Sequence, residues 1–221
     1  MTSARRTLIP IYGRWPLLGA LVFQCAVYWG AKALTAGWPH RDMTVPLDGR
    51  VPFLPWTVVI YVGAYLFWAA NYVLAVRQGE ENGFRLLAAD ALGKAVCLAV
   101  FLLLPTAAVR PEVPADAPLG RAVALLYALD TPDALFPSLH CFNSWLCWAG
   151  VRGRKAVPAW YRAFSLIFAL AVAVSTLTTK QHVLADVIAG LALGELCWQI
   201  AGRAGLGARY GRLWRRRKST G

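Results

Sequence analysis

The chain has 221 residues, 58% of them apolar and 15% charged, with a formal net charge of +12. Soluble domains carry about 25% charged residues, so this composition excludes a large soluble domain and points to one all-α, polytopic membrane domain over residues 1–221. Six transmembrane helices are predicted, near 15–36, 56–76, 85–107, 134–150, 161–179 and 183–202. The run from Val51 to Val76 has no formal charge over 26 residues, and that from Ala134 to Val151 none over 18; about 20 apolar residues span a hydrocarbon core. The first apolar run is long enough to span and lacks a clear cleavage site, so it is expected to remain as a helix. The first loop, "GWPHRDMTVPLDGRVPFLPW", is rich in Pro and Gly and is not expected to be helical throughout. In the third, 108–133, the stretch "PLGRAVALLYALDTP" suits a short amphipathic helix on the membrane surface.

Lysine and arginine counts set the orientation. With both termini inside, the inner segments hold 16 of these residues and the outer loops five: Arg41, Arg50, Arg110, Arg121 and Lys180. Lys32 and Lys94 lie within spans. The densest basic group is the tail 203–221, expected to be cytoplasmic. Its charge suits topology and anionic headgroups rather than nucleic acid. Arginine over lysine and short loops fit a bacterial inner membrane. The cysteines, Cys25, Cys97, Cys141, Cys147 and Cys197, match no zinc spacing and read as small packing residues. Asp90 and Lys94, four apart, read as an intrahelical ion pair. Glu195 and Asn71 have no partner evident in the sequence. The ten Trp residues read mostly as interface anchors, none of them needed for chemistry.

On this map three chain segments bring unusual polar groups to the outer face. Arg110 follows span 3, "FPSLH" opens span 4, and "TTKQH" joins span 5 to span 6. Two of the chain's three histidines lie there. His182 and Asp186 are four apart, one turn along a helix face. A carboxylate there fixes one imidazole nitrogen and leaves the other free as nucleophile or base. His140 adds a second acid or base. Arg110 and Lys180 add positive charge, and Ser138 with the amides at the start of span 4 offers a helix N-terminus that favours phosphate. Together these groups suit phosphoryl transfer. A metal site from His140, His182 and Asp186 fits by ligand type but is opposed by the neighbouring cations. Ser138 lacks the Gly-flanked elbow of a hydrolase nucleophile.

The segments Arg110-Pro111, "PSLH" (Pro137 to His140) and "STLTTKQHVLAD" (Ser175 to Asp186) resemble the three motifs of the type 2 phosphatidic acid phosphatase superfamily. That pattern is Lys, six residues, Arg-Pro; then Pro-Ser-Gly-His; then Ser-Arg, five residues, His, three residues, Asp. Three departures stand out. Leu103 occupies the place of the first Lys, Leu139 that of the Gly, and Thr176 that of the Arg. Lys94 is 16 residues before Arg110, roughly 24 Å along a helix, too far to replace that Lys. Lys180, two residues before His182, is expected to restore one of the missing charges. The variant is similar to the branch that includes inositol phosphorylceramide synthases and many small bacterial phosphatases.

The resemblance implies that His182 attacks phosphorus to form a phosphohistidine, that Asp186 orients it, and that His140 protonates the leaving oxygen and then activates water or an alcohol. It implies that Arg110, Lys180, Ser138 and the Leu139 amide hold the phosphate oxygens, with no metal or other cofactor. The expected substrate is a lipid phosphate presented by the bilayer, hydrolysed at the extracytoplasmic face. Transfer of a phospho-headgroup to an alcohol uses the same histidines and stays open. So do a non-catalytic anion or lipid transporter and an inactive scaffold. The lipid, the acceptor and the oligomeric state are not legible.

Overall fold

The computed structural model describes residues 7–113 and 119–216. Among the described residues eight α-helices carry the fold: α1 Ile11–Thr35, α2 Val58–Arg77, α3 Glu80–Leu103, α4 Gly120–Leu129, α5 Leu139–Val151, α6 Ala159–Thr178, α7 Leu184–Arg203 and α8 Leu206–Arg216. Among the described residues five segments are long and apolar enough to cross a membrane: Ile11–Thr35, Pro55–Arg77, Glu80–Leu103, Ala159–Thr178 and Leu184–Arg203. Large apolar side chains such as Leu66, Ile167 and Ile188 are exposed on them, as lipid-facing positions are in a bilayer, where only the backbone must be satisfied internally. The α2–α3 turn is only Gln78 and Gly79; Gly79 has φ +109, a region an L side chain rarely adopts. Glu80 and Glu81 follow in the first turn of α3, where the helix dipole favours acids.

The fourth expected span differs from expectation. Residues 134–150 are uncharged, but helix begins only at Leu139, and α5 has 13 residues, about 20 Å. The preceding residues are drawn into a loop: the amides of Leu135 and Phe136 donate to Thr106 Oγ1 at 3.2 and 3.0 Å, Pro137 has no N–H to give a helix, and Ser138 caps α5. α5 packs against α2, α3, α6 and α7. The short helix expected within 108–133 is present as α4. Much of the expected tail is helical too: α8 lies against α3, and Arg215 pairs with Glu80.

Three connections meet at one end of the bundle. The first loop and the loop after α3 pair through two short parallel strands, β1 Arg41–Asp42 and β2 Thr106–Ala107. The Leu54 amide donates to the Thr178 carbonyl at 2.9 Å. The Leu184 amide, first of α7, donates to Asp48 Oδ1 at 2.7 Å, so an aspartate from the first loop caps that helix. At the other end the Asn82 amide bridges the carbonyls of Ala75 and Gly150 at 3.0 and 2.9 Å.

Candidate active site

Two helix starts build the site. The Ser138 amide donates to the Asp186 carbonyl at 3.1 Å, tying the N-terminus of α5 to the first turn of α7. Gly190 permits this contact: a Cβ there would meet the Ser138 carbonyl oxygen at 2.5 Å and Cys141 Cβ at 3.0 Å. His140 on α5 and His182, just before α7, then line one cavity, with ring centroids 6.3 Å apart.

His182 Nδ1 lies 3.2 Å from Asp186 Oδ2. The same oxygen accepts the Val183 amide at 3.1 Å, and Asp186 is fully buried. A carboxylate oxygen accepts from an imidazole N–H, so this contact assigns Nδ1 as the donor and leaves Nε2 as the nitrogen turned away from Asp186. His140 stacks on Tyr61 with centroids 4.1 Å apart and touches Tyr65 and Trp68. These three lie on one face of α2, at spacings of four and three. His140 Nε2 is buried without a partner among the described residues.

The remaining expected residues divide. Arg110 reaches the site: one terminal nitrogen donates to the Asp130 carbonyl and the other to Gln181 Oε1, and its guanidinium lies 4.6 Å from the centre of the Tyr127 ring. Leu139 lines the cavity. Ser138 is fully buried; its Oγ accepts from the Cys141 amide at 3.4 Å as the α5 cap. Lys180 is turned to the first loop: its Nζ donates to the carbonyls of Asp48 and Val51 at 3.2 and 2.6 Å. The backbone at Lys180 is left-handed, φ +54. The turn sends Lys180 and Gln181 to different partners.

Sequence reasoning did not single out several residues of this site. Gln181 lies within the "TTKQH" stretch, but a neutral amide attracts no notice there. Tyr61, Tyr65 and Trp68 show their common face only once His140 is known to sit against it. Trp68 also donates to Ser144 Oγ at 2.9 Å, so it is more than an interface anchor. Asp130 and Tyr28 line the cavity as well, and Lys32 bonds Asp130 at 2.7 Å and Asp133 at 2.9 Å. Burial alone would raise the pKa of Asp130; hydrogen bonds from Lys32 and Tyr28, and the charges of Lys32 and Arg110, outweigh it and hold the carboxyl below its ordinary value. Among the described residues no group of three or more His, Cys, Asp or Glu is placed to hold a metal ion.

No curated protein and no solved structure matches the chain. A family model described as the PAP2 superfamily matches residues 91–205, which runs from α3 through α7 and holds His140, His182, Asp186 and Arg110. That match covers more than half of the 221 residues, and the chain belongs to the PAP2 superfamily.

Proposed function

We propose that this protein is an integral membrane lipid phosphate phosphatase that hydrolyses a phosphomonoester or diphosphate of a lipid through a phosphohistidine intermediate at the extracytoplasmic face. The observation that carries the reading is His182 Nδ1 held 3.2 Å from buried Asp186 while His140 shares the same cavity. His182 Nε2 attacks phosphorus, and the bond from phosphorus to the lipid oxygen breaks. His140 gives that oxygen a proton; the negative charge of the bound phosphate favours the protonated imidazole needed for this. In the second step His140 takes a proton from water, the water oxygen bonds to phosphorus, and the phosphorus–nitrogen bond breaks. Arg110 and the Leu139 amide carry the charge of the transferring group. Lys180 adds positive potential while it fastens the first loop. Phosphate-ester hydrolysis is among the slowest uncatalysed reactions, so an oriented nucleophile and a preorganised anion site supply the acceleration.

One observation favours transfer to an alcohol as a second reading. The Asp130 carboxylate and the Tyr28 hydroxyl line the cavity beside the histidines, and both can bond an acceptor hydroxyl. The test is phosphate release from a panel of lipid phosphates in detergent with EDTA. Wild type should release phosphate, and His182→Ala should lose roughly a thousandfold or more of the activity, as removal of a nucleophile does. Release that persists in His182→Ala overturns the mechanism. Absence of release from wild type, with product formed once a polyol is added, replaces hydrolysis by transfer.

A further inference from the structure

Gln181 is 2% exposed and lines the cavity with His140 and His182. Its backbone is fixed: the amides of Gln181 and His182 both donate to the Thr176 carbonyl, at 2.9 and 3.1 Å. Its side chain has a defined orientation as well. A guanidinium has donors only, so the oxygen of the Gln181 amide must face Arg110 and the nitrogen must point elsewhere. That nitrogen, Nε2, is buried and has no acceptor among the described residues. Arg110 Nε is in the same state. Native interiors rarely leave buried donors unmet, and here two of them belong to a bonded pair at the reacting cavity. Both need an acceptor, and neither can use a cation.

We propose that Gln181 is a phosphate-binding residue: its Nε2 donates to a non-bridging oxygen of the substrate, and with Arg110 it forms one clamp of a single cation and a neutral amide. The inference rests on the reading of this cavity as a phosphoryl-transfer site. It gives a use to the turn at Lys180, whose left-handed backbone lets the ammonium go to the carbonyls of Asp48 and Val51 while the next side chain faces Arg110. The amide adds a donor without adding charge, so the clamp depends on its geometry.

Binding of inorganic phosphate to the purified full chain in detergent micelles, followed by calorimetry, tests this. Gln181→Glu keeps an oxygen for Arg110 and removes the donor. Gln181→Met keeps the length and removes both polar atoms. Wild type should bind phosphate saturably, and both variants should bind at least tenfold more weakly, with melting temperatures close to wild type. Retained binding by Gln181→Glu, which lacks the donor and adds a charge that repels phosphate, would overturn the proposal. So would an absence of phosphate binding by wild type, or undiminished binding by the well-folded Gln181→Met. Phosphate binding that needs Gln181, with no lipid phosphate hydrolysed, would leave the clamp standing and remove the phosphatase reading.

Discussion

Arg110 and Lys180 look equivalent in the sequence, two basic residues at the same face, yet they have different surroundings. Arg110 bonds Gln181 and the Asp130 carbonyl at the cavity, whereas Lys180 holds two backbone carbonyls of the first loop. Hydrogen bonds to charged groups contribute about 1.5–3 kcal/mol. Arg110→Met should therefore lower kcat/KM by about a hundredfold, each 1.36 kcal/mol being tenfold. Lys180→Met should cost about tenfold or less in kcat/KM and act mainly on melting temperature. Steady-state kinetics on both variants check this, and equal losses would put the Lys180 ammonium in the clamp. The pairing of His182 with Asp186 was legible from their spacing of four, although the structure forms it across the start of α7: His182 lies before the helix, and Asp186 in its first turn reaches back to it. Gln181 was not legible, because a neutral amide leaves no mark in a charge pattern and its neighbour Arg110 is 71 residues away.

At the scale of elements, the contact between α5 and α7 decides whether the two histidines share a cavity. Gly190 sits where the helices touch, and the obstacle to a Cβ there is the backbone oxygen of Ser138, which cannot rotate away as a flexible side chain can. Gly190→Ala should destabilise by about 1–3 kcal/mol, the usual cost of overpacking, and should reduce turnover by parting His140 from His182. Thermal melts and phosphate release measured together check it; a variant with wild-type stability and turnover would mean that the helices slide apart without consequence. Most long helices were readable from apolar run length, and Asp90 and Lys94 do pair, at 2.7 Å. The start of α5 was not readable. Absence of charge from Ala134 onward looks the same for a span and for a buried loop, and the choice was made by Thr106, a residue of another segment. Glu195 likewise gains its partners only in the fold: Arg152 from two nitrogens at 2.8 Å and Trp145 at 2.8 Å.

At the scale of the whole molecule, loops far apart in the chain are fastened together over the site. Asp48 caps α7, and Lys32 of α1 holds Asp130 and Asp133 beyond α4. Because the folded Asp130 has a depressed pKa, its contribution to stability is present above the unfolded aspartate value and is lost as pH falls through the folded one. The window therefore lies below about pH 4. Asp130→Asn should melt lower than wild type near pH 6, and the two curves should converge as pH falls below about 4. Melting curves in detergent across that range check it, and curves that stay parallel would show that the carboxylate contributes nothing through its charge.

The all-α membrane character, the order of the long helices, the histidine–aspartate pair and the PAP2 resemblance are all written in the amino-acid sequence. These depend on local quantities: the length of apolar runs, short spacings along the chain, and motifs within short segments. Tertiary structure decided which groups face the cavity. It joined α5 to α7 through Ser138 and Gly190, set Tyr61 against His140, sent Lys180 to the first loop, and brought Gln181 to Arg110. Each of these depends on contacts between residues distant in the chain, where a difference of a few ångströms in approach decides whether a polar atom is bonded, buried alone, or free to meet a ligand.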